Sequence, residues 1–208
     1  MECERMIEFK RLALLLGTVL IGLGSCSPLW AESLDLDAEL CEAVGQGDYS
    51  AVKVLLEEGA HVDGVCRGET MLVRAADSGY VKMVSLLLSH GATFNFNQPH
   101  AKEMWIGLVG MEKLPIVDAL LKAGADMNYV DLQDDNGKTL LMAAAAHGDA
   151  RMVRALLDRG AALEVRNKHG ETALAIASEM RRAEVVQLLL EEGAQIDEVD
   201  SGRWLHAK

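Results

Sequence analysis

Residues 139–161, TLLMAAAAHGDARMVRALLDRGA, decide the fold. They read as a short alanine-rich helix opened by Thr139, a turn at Gly148, a second helix, and a stop at Gly160. Neither helix reaches the ~12–15 residues at which an isolated helix becomes marginally stable in water. Each therefore needs a neighbour to cover its apolar face, and the rest of the chain supplies copies of the same unit. Such an array specifies how something is bound without specifying what.

The copies emerge when the word LL-x-x-G-A is slid along the chain. It ends at Ala60, Ala92, Ala125, Ala161 and Ala194, and its glycines are spaced 32, 33, 36 and 33 residues apart. Twelve residues before each stand Gly47, Gly79, Glu112, Gly148 and Arg181, so the inner turn carries glycine in three of the five units. A second word, G-x-T, opens units at Gly68, Gly137 and Gly170. Four residues after each G-A glycine comes an acid or amide: Asp63, Asn95, Asn128, Glu164 and Asp197. A period near ~33 residues with two short helices per unit is the pattern of ankyrin repeats. The chain resembles that family over residues 37–200. The resemblance implies an all-α solenoid of about five helix-turn-helix repeats with short, hairpin-like fingers. The repeats would span 37–65, 66–97, 98–132, 133–166 and 167–200, with a tail at 201–208.

The units are unequal. The first lacks G-x-T and carries Glu39 and Glu42 in its first helix, as suits a terminal repeat with a wet outer face. The third is the least regular: Ala101 and Glu103 replace the Gly and Thr, Trp105 takes the Leu place, and Gly107 falls within the expected first helix. Trp105 either fills the core slot or forms a contact hot spot with Met104 and Met111; core filling is the expectation. Pro115 is expected in the first turn of a helix, where its missing N–H is harmless. The family's T-P-L-H word is nowhere complete, Met71, Leu140 and Ala173 standing in its Pro place.

Residues 1–31 are not repeat-like. Lys10 and Arg11 precede a 13-residue apolar run, Leu12 to Gly24. That is short for a bilayer span, which needs ~20 residues, and right for a signal-peptide core. We read 1–31 as a bacterial secretory signal, with Met1 or Met6 as its start. Two cleavage readings stand open: after Ala31, or before Cys26, where Leu23-Gly24-Ser25-Cys26 resembles a lipobox and residues 1–25 would be the signal of a lipoprotein. Either implies the periplasm. Cys41 and Cys66 could pair in an oxidising compartment, but a separation of 25 residues fixes no geometry, and two free thiols are the expectation.

The formal charge of −12 lies wholly beyond residue 26, since residues 1–26 carry three acids and three bases. An acidic array does not neutralise phosphates, which argues against nucleic acid. No two histidines share i, i+4 spacing, and no nucleophile elbow or phosphate loop is present. The run Asp131 to Gly137 clusters oxygen ligands without an EF-hand's closing Glu, and reads as a solvated finger. We expect no enzyme, no cofactor and no metal. The resemblance implies a protein partner bound at the fingers and at the inner ends of the first helices. Those positions are Arg67, Glu69, Asp77, Ser78, His100, Lys102, Met111, Asn136, Lys138, His147, His169, Glu171, Glu179 and Met180. The expected role is a periplasmic protein-binding module, a scaffold or protector of an envelope protein. An immunity-type inhibitor of a toxin or enzyme is the alternative, and a ligand- or metal-binding enzyme a more distant one.

Overall fold

The computed structural model describes residues 36–110, 113–131 and 137–196. The signal, Cys26, Met111, Asn136 and the tail lie outside them, as does most of the Asp131–Gly137 run. Ten helices occur among the described residues, in five pairs: α1 (Leu36–Gln46) with α2 (Tyr49–Glu57), α3 (Met71–Asp77) with α4 (Val81–Ser89), and α5 (Ala101–Gly107) with α6 (Leu114–Lys122). The last two pairs are α7 (Leu140–His147) with α8 (Ala150–Leu157), and α9 (Ala173–Glu179) with α10 (Ala183–Glu191). Between the first two pairs, β1 (Val65–Cys66) and β2 (Glu69–Thr70) make an antiparallel hairpin.

The recurring words become specific contacts. Each Thr of G-x-T caps its helix: Thr70 accepts from the Val73 N–H at 3.3 Å, Thr139 from Met142 at 3.1 Å and Thr172 from Ala175 at 3.2 Å. All three threonines are buried, so the cap also satisfies a hydroxyl that would otherwise be stranded. Asp48 and Asp149 cap α2 and α8 in the same way. First helices stack on first helices and second on second, burying a continuous core that includes Leu72, Leu141 and Leu174.

Three of the five acids or amides after G-A staple neighbouring repeats, and Asp197 lies outside the described residues. Asp63 accepts from the Thr93 N–H at 2.8 Å, Asn128 from Ala162 at 2.8 Å and Glu164 from Gln195 at 3.0 Å. Asp37 does the same for His61 at 2.7 Å, starting the series one unit earlier. Asn95 departs from it and accepts instead from Asn97 in its own finger.

The third repeat is where the structure corrects the reading. In register with the others, its first helix would cover 104–110; it covers Ala101–Gly107 instead. The N-cap position is His100, left-handed at φ 59° and without a side-chain cap bond. Lacking Gly and Thr to hold an extended entry, the chain coils three residues early, and Gly107 ends the helix rather than interrupting it. Trp105 is 0% exposed and takes the core slot. Pro115 sits in the first turn of α6, as its missing N–H requires.

The cysteines provide a second correction. Cys41 on α1 and Cys66 on β1 are joined as a disulfide, with 5.5 Å between their α-carbons. Spacing could not show this, because stacking of the first repeat against its finger brings the two positions together.

Candidate binding surface

The partner-facing residues sit where short helices meet fingers, so the sequence features that end helices also position them. At the first finger, Arg67 and Gly68 form the two-residue loop of the hairpin, both with positive φ, 52° and 91°. That pair of angles is what a tight type I′ hairpin turn demands. It leaves Arg67 exposed at the tip, while Cys66 beside it is buried and covalently held to α1. Glu69, next along, accepts from Arg74 at 3.4 Å.

The structure gathers some of the expected residues. Glu69, Asp77 and His100 line one depression of about 190 Å³ between the second and third repeats, over a floor of Val73 and Met104. Lys102 and Lys138 line a larger cleft of about 400 Å³ between the third and fourth. Glu103 lines both, so the two hollows adjoin across α5. The others are placed singly: Ser78, His147, His169, Glu179 and Met180 stand apart from these hollows, and Glu171 is half-buried, accepting from the Asn167 amide at 2.9 Å.

Tyr129 and Ile106 also line the larger cleft, and an aromatic cluster lies beside it. Tyr129 stacks on Phe96 with centroids 3.7 Å apart and planes 2° from parallel. Phe96 meets Trp105 edge-on at 5.7 Å, and Phe94 lies 6.2 Å from the same indole. Glu103, Ile106, Tyr129 and Asp131 line this cleft beside the expected lysines. Asp131 binds Lys102 at 2.5 Å, and that hydrogen bond, with smaller help from Tyr129, holds the ammonium above its ordinary range. The alternation Phe94-Asn95-Phe96 was the available signal for an aromatic cluster; nothing marked Tyr129 as its fourth member. The Trp105 Nε1–H is buried and has no acceptor among the described residues.

The first half of this surface carries more acid than base. Asp77 is exposed and Glu103 lines both hollows, while the Glu69–Arg74 pair is internally neutral. Among the described residues no three His, Cys, Asp or Glu side chains gather as a metal site would require. No helix there is long and apolar enough to cross a membrane.

Residues 34–98 and 108–200 match the family model described as ankyrin repeats in three copies. The gap between the two matched stretches contains α5, the helix that is out of register. Similar curated proteins include the B-cell lymphoma 3 protein homolog of Mus musculus, 33% identical over 122 residues, 58% of this chain and 27% of that protein. Ankyrin repeat and SOCS box protein 6 of Homo sapiens is 30% identical over 157 residues, 74% of this chain and 37% of its own length. Ankyrin repeat and KH domain-containing protein mask-1 of Caenorhabditis elegans is 32% identical over 132 residues, 63% of this chain and 5% of that protein. The chain thus spans from a twentieth to little over a third of these relatives.

Proposed function

The chain belongs to the ankyrin repeat family, and on that premise we propose that it is a non-enzymatic module that binds a protein partner in the bacterial periplasm. Its role there is that of a scaffold or protector of another envelope protein. Ankyrin repeats make protein–protein interaction surfaces, and one observation carries the reading for these residues. Two adjoining hollows cross the second to fourth repeats, and five of the expected contact residues line them. A stacked array presents such a surface preformed, so little ordering entropy opposes binding.

Two features support export. Lys10 and Arg11 followed by 13 apolar residues have the form of a secretion signal. The bonded pair Cys41–Cys66 belongs in an oxidising compartment, since cytosolic thiols are kept reduced. The bacterial and periplasmic part of the proposal rests on Leu23-Gly24-Ser25-Cys26, which resembles a lipobox, and not on the relatives, because the three relatives are animal proteins.

The test places a photo-crosslinking residue singly at Asp77, His100 and Lys138, which line the hollows, and at Lys53 and Ser85 on second helices as controls. The protein is expressed in its native host with its own N-terminus. A stoichiometric protein adduct from the first set and none from the second is expected. Equal crosslinking from both sets would defeat the proposed surface. Mass spectrometry of the first residue, together with fractionation, tests the location: an intact N-terminus in the cytoplasm overturns export, while acylated Cys26 or a start at Glu32 supports it.

A further inference from the structure

The cleft between the third and fourth repeats has hydrogen-bond donors to spare. Lys138 lines it half-buried, and among the described residues no acid or other acceptor takes its ammonium. A cation drawn partly out of water without a counter-charge is unfavourable until something supplies one. Lys102, across the same cleft, is bound by Asp131 and also hydrogen-bonds Tyr129. An ammonium has three N–H donors, so Lys102 retains one to give. Trp105 lines the cleft as well, and its buried Nε1–H has no acceptor among the described residues. The acids do not offset this surplus: Asp131 is engaged by Lys102, and Glu103 is exposed, where water and salt screen it.

We infer that this cleft seats an acidic side chain of the protein partner, a glutamate that enters carboxylate first and bridges Lys138 and Lys102. The assignment rests on the reading of this surface as a partner site and specifies what the partner must bring to it. At about 400 Å³ the cleft falls within the ~300–1,000 Å³ typical of sites that enclose a bound group. Ile106 and the ring of Tyr129 give its walls apolar area, and Phe96 stacked on that ring holds it in place. A glutamate suits both chemistries, with methylenes for Ile106 and Tyr129 and a carboxylate for the ammoniums. Partial burial strengthens such a pairing beyond its value on an open surface. A lysine or arginine in the same place would face two ammoniums already present. The adjoining hollow, lined by Asp77 and Glu103, repels a carboxylate, so the acid has one seat and fixes the partner's register.

The experiment is heteronuclear NMR of the full chain, with the Trp105 indole N–H assigned by its loss in Trp105→Phe. The probes are acetylated, amidated Leu-Glu-Leu, its Leu-Gln-Leu and Leu-Lys-Leu counterparts, and acetylated Leu-Gln-Leu with a free terminal carboxylate. The expected result is that Leu-Glu-Leu shifts the Trp105 indole and Gly137 amide resonances. Affinity should fall roughly fivefold or more for amidated Leu-Gln-Leu and in Lys138→Met, and recover in Lys138→Arg. Equal binding of the glutamine peptide, preference for the lysine peptide, or undiminished binding by Lys138→Met overturns the proposal. A free terminus that binds as tightly as the glutamate does so too, since the occupant would then be a chain end. Silence from every probe, in a protein whose hollows crosslink to a partner, overturns the glutamate seat and leaves the partner surface standing. Equal crosslinking from hollows and controls removes the surface itself, and the seat with it.

Discussion

At the scale of single residues, the inner turns show how closely composition and conformation are tied. Gly148 adopts φ 84°, and a Cβ placed there would come within 2.7 Å of Arg182 Cδ. Arg182 is not free to yield, because its Nε donates to Ala146 O at 2.9 Å and so ties the fifth repeat to the fourth. Gly148→Ala should therefore cost about 1–2 kcal/mol, from the left-handed penalty plus the displaced arginine. In the fifth repeat the same turn position is Arg181, held at φ 57° without glycine's freedom. Arg181→Gly should gain about 0.5–1 kcal/mol, smaller than the relieved strain because glycine also loosens the unfolded chain. Urea unfolding measures both, and a destabilised Arg181→Gly would refute strain at that turn.

The ion pair between the third and fourth repeats belongs to the same scale. Arg159 donates through Nε to Asp118 Oδ1 at 2.6 Å and through Nη2 to Oδ2 at 3.1 Å. This bidentate hydrogen bond lowers the Asp118 pKa below its ordinary 3.8, against a smaller opposing effect of burial. A carboxyl depressed on folding contributes stability that is present above its unfolded value and lost as pH falls through the lower, folded value. Asp118→Asn should therefore be less stable than the parent at neutral pH, by at most about 1 kcal/mol given the pair's exposure. The gap should close as pH drops below about 4. A gap of unchanged size at low pH would show that the amide disturbs packing and that the charge contributes nothing.

At the scale of elements, the third repeat concentrates the departures. Its first helix has neither a G-x-T entry nor a side-chain cap, it ends at Gly107, and Asn95 does not join the inter-repeat series. Its packing against α7 is the thinnest between successive first helices. Amide exchange in residues 101–108 should be faster than in α7 and α9, because local opening there breaks fewer buried contacts. Uniform protection across the three helices would contradict this. Trp105 adds a second expectation. The buried indole N–H lacks an acceptor among the described residues, which costs about 1–3 kcal/mol. Trp105→Phe removes that cost while losing some apolar area, so it should change stability by less than about 1 kcal/mol. A core Trp truncated to Ala typically loses ~3–5 kcal/mol. A Phe variant as damaged as the Ala variant would mean that the N–H is satisfied in solution.

These elements also show what a sequence can convey. The regular repeats were legible because each motif residue makes a contact within its own unit or the next: Thr70, Thr139 and Thr172 cap, and Asp63, Asn128 and Glu164 staple. The displaced α5 was not legible, because alignment to Trp105 fixed the register while the missing cap allowed helix to begin earlier. The larger cleft was only half legible. Lys102 and Lys138 follow from their places beside the opening word, but Tyr129 and Phe96 meet through the stacking of two fingers, which no local pattern encodes.

For the whole molecule, the decisive property is that each repeat touches only its neighbours, so stability is a sum of local terms and the ends are weakest. Among the described residues the first repeat is such an end, packed by a repeat on one side. The disulfide Cys41–Cys66 closes 25 residues of sequence there, which encompass the whole of α2 and the approach to the first finger. In the chain-entropy picture a loop of that length is worth about 3 kcal/mol. Cys41→Ser/Cys66→Ser should therefore destabilise the molecule by roughly that amount, and the loss should not spread evenly. Residues 36–60 should lose exchange protection first, while α7 to α10, three repeats away, keep theirs. Reduction of the parent with dithiothreitol should reproduce the variant, since both remove the same constraint. The first finger should loosen with it, because Cys66 anchors the strand that pairs with Glu69, and Glu69 lines the smaller hollow. Partner affinity should then fall on reduction more than Arg67→Ala alone lowers it. Equal protection in all five repeats after reduction would mean that helix stacking alone holds the first repeat, and that the bond adds nothing to the surface the partner meets.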